Sequence, residues 1–288
     1  MRDGPSRQQL LRDKVYGVLV LLANQEETNS ICVDYEKSVA EVYADTVLAT
    51  IELYSCRNPL HHVYHGLVYR PDGSFTSWTP RWDVDNPVPK MTPFPFNACR
   101  DRPVKSVDNT NISSQYLRLS GMYYSEVTHT LARMDEDNFA NKDNPLLEMY
   151  DMITERPGTE SLRKLARTST VGESLDLEIL ADVLLAFREN SDRGKDMMNR
   201  GLWYLLARVT CNHRRFFTHK GTFGLGPECM RTGDIVVVLF GGETPYILRP
   251  HGDEYYFMGQ AYVDEIMQGE LVYAMDASEV EEQEFVLV

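Results

Sequence analysis

Apolar residues in this chain keep two different rhythms. Near the amino terminus, LLRDKVYGVLVLLA within Gln8–Ala23 predicts a helix leading into a buried apolar stretch. Ser38 then opens a second helix, with Glu41 three positions later forming a capping box. Val39, Val42, Tyr43, Thr46, Val47, Thr50 and Ile51 recur at helical spacing, which ends near Tyr54. Helical periodicity returns over Pro145–Thr154, Glu160–Arg167, Leu175–Glu189 and Gly194–Val209. Pro157–Gly158, Gly172 and the Asn190–Arg193 cluster separate these segments.

Between the helical zones the pattern changes. Residues 57–103 are irregular and rich in proline, and Ser77–Asp83 (SWTPRWD) places two tryptophans around a proline as a rigid buried corner. Tyr116–Thr128 alternates as a long strand, with Gly121 as a candidate bulge. From Arg214 onward short apolar runs are cut by glycine and proline, which predicts a compact β-module. Asp234–Phe240, a turn centred on Gly241–Gly242, and Pro245–Arg249 read as a hairpin. Val236 and Val238 share one face of its first strand and Ile235, Val237 and Leu239 the other. Both faces are apolar, so this strand is expected to be buried on both sides. A loose echo links the Leu117–Val127 stretch to Tyr255–Ile266. It is either chance similarity between strands or a sign that both occupy neighbouring places in one barrel, with the helical block inserted between them.

Composition narrows the functional classes. The chain has 288 residues, 43% hydrophobic, enough to bury a sizeable core. Net charge is −14, and ten acids but no Lys or Arg follow Arg249, leaving −4 for the rest. An acidic balance argues against phosphate-backbone binding and against an anionic membrane surface. The acidic end reads as a solvated tail, with a basic partner as the sharper alternative. Cys32, Cys56, Cys99, Cys211 and Cys229 are odd in number and widely spaced, which suits free thiols in a reducing compartment. The longest apolar run, Val15–Ala23, is about nine residues, short of the ~20 a spanning helix needs. A cytoplasmic protein is expected.

Several constellations carry candidate chemistry. His61, His62 and His65 would put two imidazoles on one helix face, as a zinc site requires. Gly66 follows at once, Val63 and Tyr64 suit a strand, and no glutamate lies between the histidines. The triplet is therefore read as loop or surface imidazoles. Cys211, His213 and His219 hold the residue types of a thiolate–imidazole pair, but Cys211 follows an apolar helix and is read as a small buried hydrophobe. Gly221, Gly224 and Gly226 lack the Gly-Lys-Ser/Thr of a phosphate loop and are read as tight β-turns. Arg214, Arg215 and Arg249 are candidates for ion pairs with Asp253 and Glu254, or for holding a ligand. Trp78, Trp82 and Trp203 are read as core anchors. No catalytic, cofactor-binding or metal-ligating residue is assigned.

Three blocks resemble fungal heterokaryon-incompatibility (HET) proteins. They are RDKVYGVLVL (Arg12–Leu21) followed by VDYEKSVAEVYADT (Val33–Thr46), SWTPRWD, and the long block Arg214–Glu270, the most specific. Leu11 stands where that family commonly has proline, and Val20 where it has glycine. The resemblance implies an amino-terminal HET domain before Arg12, which this chain begins too late to contain. It further implies a role in self/non-self recognition, with cell death executed by that domain in cis or by a partner.

The expected fold is α+β, with a mostly antiparallel, small barrel-like C-terminal module, packed helices and an inserted helical block. The expected boundaries are a helical segment at 1–73, the β-module at 74–130 and 212–275, the insertion at 131–211 and the acidic tail at 276–288. The expected function is the non-catalytic regulatory or recognition half of a HET-type protein, partnered by a HET domain or another protein. The alternative is a stand-alone cyclase or isomerase of fungal secondary metabolism, with an apolar pocket for a small molecule.

Overall fold

A computed structural model describes residues 7–19, 33–54, 58–71, 73–84, 96–104, 115–133, 145–154, 159–172 and 210–288. The helices expected over Leu175–Glu189 and Gly194–Val209, and Trp203, lie outside the described residues. Five α-helices are described: α1 (Arg7–Leu19), α2 (Val39–Tyr54), α3 (Pro145–Thr154), α4 (Thr159–Ser169) and α5 (Glu270–Asp276). Seven strands form one sheet: β1 (Leu117–Arg133), β2 (His213–Thr218), β3 (Phe223–Pro227), β4 (Ile235–Leu239), β5 (Tyr246–His251), β6 (Glu254–Gln260) and β7 (Glu282–Leu287).

The capping box at α2 forms as its sequence requires. Glu41 N–H donates to Ser38 Oγ at 3.2 Å, and Ser38 N–H donates to Glu41 Oε2 at 2.7 Å. Val42 and Tyr43 then meet Val15 and Tyr16 of α1 in a buried cluster, and Val47 and Ile51 face the sheet.

β1 is the spine of the sheet because its 17 residues serve three neighbours. Leu117–Met122 pairs with β7, Gly121–Glu126 with β4, and Val127–Arg133 with β2. β4, β5 and β6 follow as an antiparallel meander, and the β4–β5 hairpin turns at Gly241–Gly242 as read from the sequence. Tyr255 of β6 meets Leu287 of β7 in parallel, which closes the ring β1–β4–β5–β6–β7 and removes open edges. The β2–β3 ribbon leaves the far end of β1. It returns through Leu225, whose N–H and carbonyl both bond Tyr262 just past β6, at 2.9 and 2.8 Å.

Two details correct the reading of the sequence. The stretch taken for an acidic tail contains β7, whose Phe285 and Leu287 are buried while Glu282, Gln283 and Glu284 face solvent. Gly121 marks no bulge. It pairs with Leu239 and Gln283 at once, and a side chain there would collide with the Val238 carbonyl. The register of β1 against β4 shifts instead between Tyr123 and Ser125. The echoing strands, β1 and β6, share the ring but are not neighbours, since β7 lies between them.

The core has two sides because β4 is buried on both. Val236, Val238 and Phe240 join Met122, Phe216, Ile247 and Met258; Ile235, Val237 and Leu239 join Trp78, Leu119, Leu248, Phe257 and Phe285. Each such valine contributes roughly 1.5–3 kcal/mol relative to exposure. The tryptophan corner is stapled to the point of ring closure. Ser77 N–H donates to the Val288 oxygen at 2.9 Å, its hydroxyl donates to the same oxygen, and Phe257 N–H donates to Ser77 Oγ at 2.8 Å.

Candidate functional site

The staple at Ser77 holds two adjoining, partly open clefts against the barrel seam. The first, about 530 Å³, lies between α2, the 69–79 corner and the β5–β6 hairpin, and is lined by Tyr69, Phe75, Tyr116, His251, Glu254 and Tyr256 among others. The second, about 360 Å³, shares Tyr69, Phe75 and Thr76 and adds His65 and Arg81. These volumes suit a small molecule or a few side chains of a partner.

Four rings run along the floor in sequence. His65 lies 4.3 Å from Tyr69, Tyr69 lies 5.3 Å edge-on from Tyr256, and Tyr256 lies 4.7 Å from His251, between ring centroids. Such ring pairs add about 0.5–1.5 kcal/mol beyond burial and hold the walls in place. His65 Nε2 bonds the Phe257 carbonyl at 2.8 Å, and burial pushes its pKa down to about 4, so the ring is neutral at physiological pH. Arg81 stacks 4.1 Å from the centre of the Phe75 ring and grips Asp83 through two bonds of 2.8 Å. Those bonds hold the Asp83 carboxyl below its usual range. The cleft therefore offers aromatic faces, phenol and imidazole edges, and one fixed ion pair.

A second polar cluster lies under the ribbon. Glu228 is 2% exposed; it accepts from the Tyr64 hydroxyl and, at 2.8 Å, from Arg133 Nη1. Burial, and then Glu228, raise the Tyr64 hydroxyl well above its ordinary pKa. Beside it Arg249 donates to Asp234 at 2.8 and 3.0 Å and to the Cys229 carbonyl at 2.8 Å. Burial pushes the Cys229 thiol up to about 12, which makes it inert as a nucleophile.

The residues singled out in the sequence do not converge. Asn58–His62 forms a 3-10 turn, not an α-helix, so His61 and His65 do not share a helix face. His61 is buried against the Tyr246 hydroxyl at 3.0 Å, so it and half-buried His65 are structural groups and not surface imidazoles. Among the described residues no group of three metal-ligating side chains forms. His213 and His219 stand at opposite ends of β2, and the His213 ring bonds the Cys211 carbonyl at 3.1 Å. Cys211 is half-buried, less enclosed than read. Of the three glycines read as turns, Gly221 alone sits in one; Gly224 and Gly226 lie inside β3. A side chain at Gly224 would meet the Phe216 ring at 2.7 Å and the Tyr262 carbonyl, so the residue permits the ribbon's close approach. Arg249 pairs with Asp234 and not with Asp253 or Glu254. The Tyr69–Tyr256 and Glu228–Arg133 contacts had no local signal, because their partners lie far apart in the chain. The described clefts are not the closed apolar pocket that an enzyme of small-molecule cyclisation or isomerisation calls for.

Residues 187–288 match the family described as the Het-6 beta-barrel domain, and this span contains β2 to β7. The C-terminal region is HET-related. Over 118 residues the chain is 34% identical to heterokaryon incompatibility protein 6, OR allele, of Neurospora crassa; that alignment covers 37% of this chain and 17% of that protein. The chain thus spans less than a fifth of the curated relative it matches. No solved structure matches it. The HET-related span does not complete the ring by itself: β1, at Leu117–Arg133, supplies the spine from outside it. Likewise His251, Glu254 and Tyr256 of the cleft come from the HET-related region, and Tyr69, Phe75 and Arg81 from the segment before β1. No helix among the described residues is long and apolar enough to cross a membrane.

Proposed function

We propose that this chain is the non-catalytic recognition half of a HET-type self/non-self recognition protein, acting in the cytoplasm, and that it senses a protein partner through the aromatic cleft. The observation that carries this reading is the coincidence of the HET-related span with six of the seven strands of the sheet, four of them in the ring. The cleft supports it because both parts of the chain build its walls, so engagement there reports on the assembled fold. The buried imidazoles, the Cys229 thiol and Glu228 are engaged in fold-building bonds, which also suits a recognition surface. A HET domain, in cis or on a partner, would then execute cell death.

A domain exchange tests the reading. Residues 187–288 replace the matching region of the Neurospora crassa relative, and the chimera is introduced into strains which the parent protein tolerates or rejects. The expected result is a changed pattern of growth arrest, abolished when Tyr256→Ala opens the floor of the cleft. A stably expressed chimera that discriminates the strains as its parent does overturns the recognition role.

A further inference from the structure

Arg215 is fully buried, at 0% exposure, and among the described residues its Nε, Nη1 and Nη2 all lack a hydrogen-bond partner. A buried ion without partners costs several kcal/mol, and every donor left empty adds to that. Its neighbour Arg214 points to the other face of β2 and reaches the Met230 carbonyl at 3.2 Å. Arg215 pairs with Leu225 of β3, so their side chains share a face of the ribbon. On that face Leu225 packs with Val171, just beyond the end of α4. The last turn of α4 holds two more buried hydroxyls, Thr168 and Ser169, both 0% exposed and without partners among the described residues. One layer between ribbon and helix thus collects donors and leaves them unfilled. Burial pushes the Arg215 pKa down to about 10, which leaves it cationic at neutral pH.

We propose that Arg215 is the centre of a buried binding site for a small oxyanion, a phosphate or a carboxylate, held by the guanidinium fork and lying in the layer shared with Thr168 and Ser169. The planar fork presents two parallel N–H groups to such an anion, a geometry an ammonium cannot copy. Full enclosure selects a small ion over a partner's side chain.

The test is thermal unfolding of the full chain in inorganic phosphate, in acetate and in chloride at matched ionic strength. The expected result is a Tm that climbs by roughly 3–5 °C for each tenfold rise in the bound anion above its Kd, absent in chloride. Phosphate acting alone identifies a phosphate site, and acetate acting equally identifies a carboxylate site. Arg215→Met should raise Tm in chloride, because an unpaired buried charge is gone, and should erase the anion-dependent gain. Arg215→Lys should keep at most a small part of it. An anion effect that survives Arg215→Met is general salt stabilisation and overturns the site. So does a wild type blind to both anions.

Discussion

The β4–β5–β6 meander and the β2–β3 ribbon each bury an arginine, and the two are treated in opposite ways. Arg249, in the meander, fills its fork with Asp234 and the Cys229 carbonyl, while Asp234 also accepts the Arg231 N–H at 2.8 Å. Arg215, in the ribbon, is as deeply buried and fills none of its side-chain donors among the described residues. The meander is tied to β1 by an antiparallel ladder along β4 and to β7 by the parallel Tyr255–Leu287 pair along β6. The ribbon is laddered along β2 to the far end of β1, and its β3 edge returns to the barrel through the Leu225–Tyr262 bridge. The difference separates a region built for stability from one that keeps polar capacity in reserve.

The largest expected effect comes from making the meander resemble the ribbon. Asp234→Ala strands Arg249 as a second unpaired cation and should cost about 3–5 kcal/mol in urea unfolding. The double variant Asp234→Leu with Arg249→Met removes both charges and should regain most of that loss. A cost under ~1 kcal/mol for the single change would mean that Arg249 needs its acid no more than Arg215 does, and the contrast would fail.

Acid should act on the ribbon next. His213, at 4% exposure, is kept neutral by burial, which lowers its pKa from 6.5 to about 4. Above pH 6.5 it is neutral whether folded or unfolded and contributes no pH dependence. As pH falls from 6.5 towards 4, the unfolded chain takes up a proton that the folded chain refuses. Stability should fall by up to ~1.4 kcal/mol per pH unit from this group. His213→Asn should flatten that part of the profile, leaving the slope from His65, which titrates in the same window. An unchanged slope would show that His213 protonates freely in the fold.

The comparison also shows where the sequence was readable. The β4 strand was legible because its apolar residues run without interruption, and burial on both faces is the physical meaning of such a run. The α2 cap was legible because both partners lie within four residues. β7 was not, because its solvent face carries Glu282, Gln283 and Glu284, and the acids masked the alternation of Phe285 and Leu287. Gly224 and Gly226 were misread as turns because a glycine needed for close approach leaves the same mark in a sequence as one needed for a turn. The cleft and Arg215 were hidden for another reason. A ring ladder between Tyr69 and Tyr256, or a missing partner for a buried cation, is a property of the assembled fold alone.

Gly224 lets the attachment of the ribbon's β3 edge be tested directly. A methyl group there meets Phe216 and crowds the Tyr262 carbonyl, so Gly224→Ala should cost about 1–3 kcal/mol as overpacking. Hydrogen exchange should locate the damage: the Leu225 and Tyr262 amides should lose protection while those of β4 and β5 keep theirs. Loss spread evenly over the barrel would show that ribbon and meander unfold as one unit, and the distinction between them would be blunted.

The smallest effect is expected where charge meets water. Arg118 Nη1 and Glu284 Oε1 are 2.8 Å apart across the β1–β7 seam, with side chains 44% and 49% exposed. Their geometry rivals that of Arg249 and Asp234, yet solvent screens the attraction and ordering two long side chains opposes it. Glu284→Gln should change stability by under ~0.5 kcal/mol, and the small change should shrink further in high salt. A cost near that of Asp234→Ala would mean that ion-pair distance, and not burial, sets the value of a charge on this barrel. The reading of Arg215 depends on the opposite: an unpaired guanidinium is costly because water cannot reach it, and the same guanidinium at the position of Arg118 would need no partner at all.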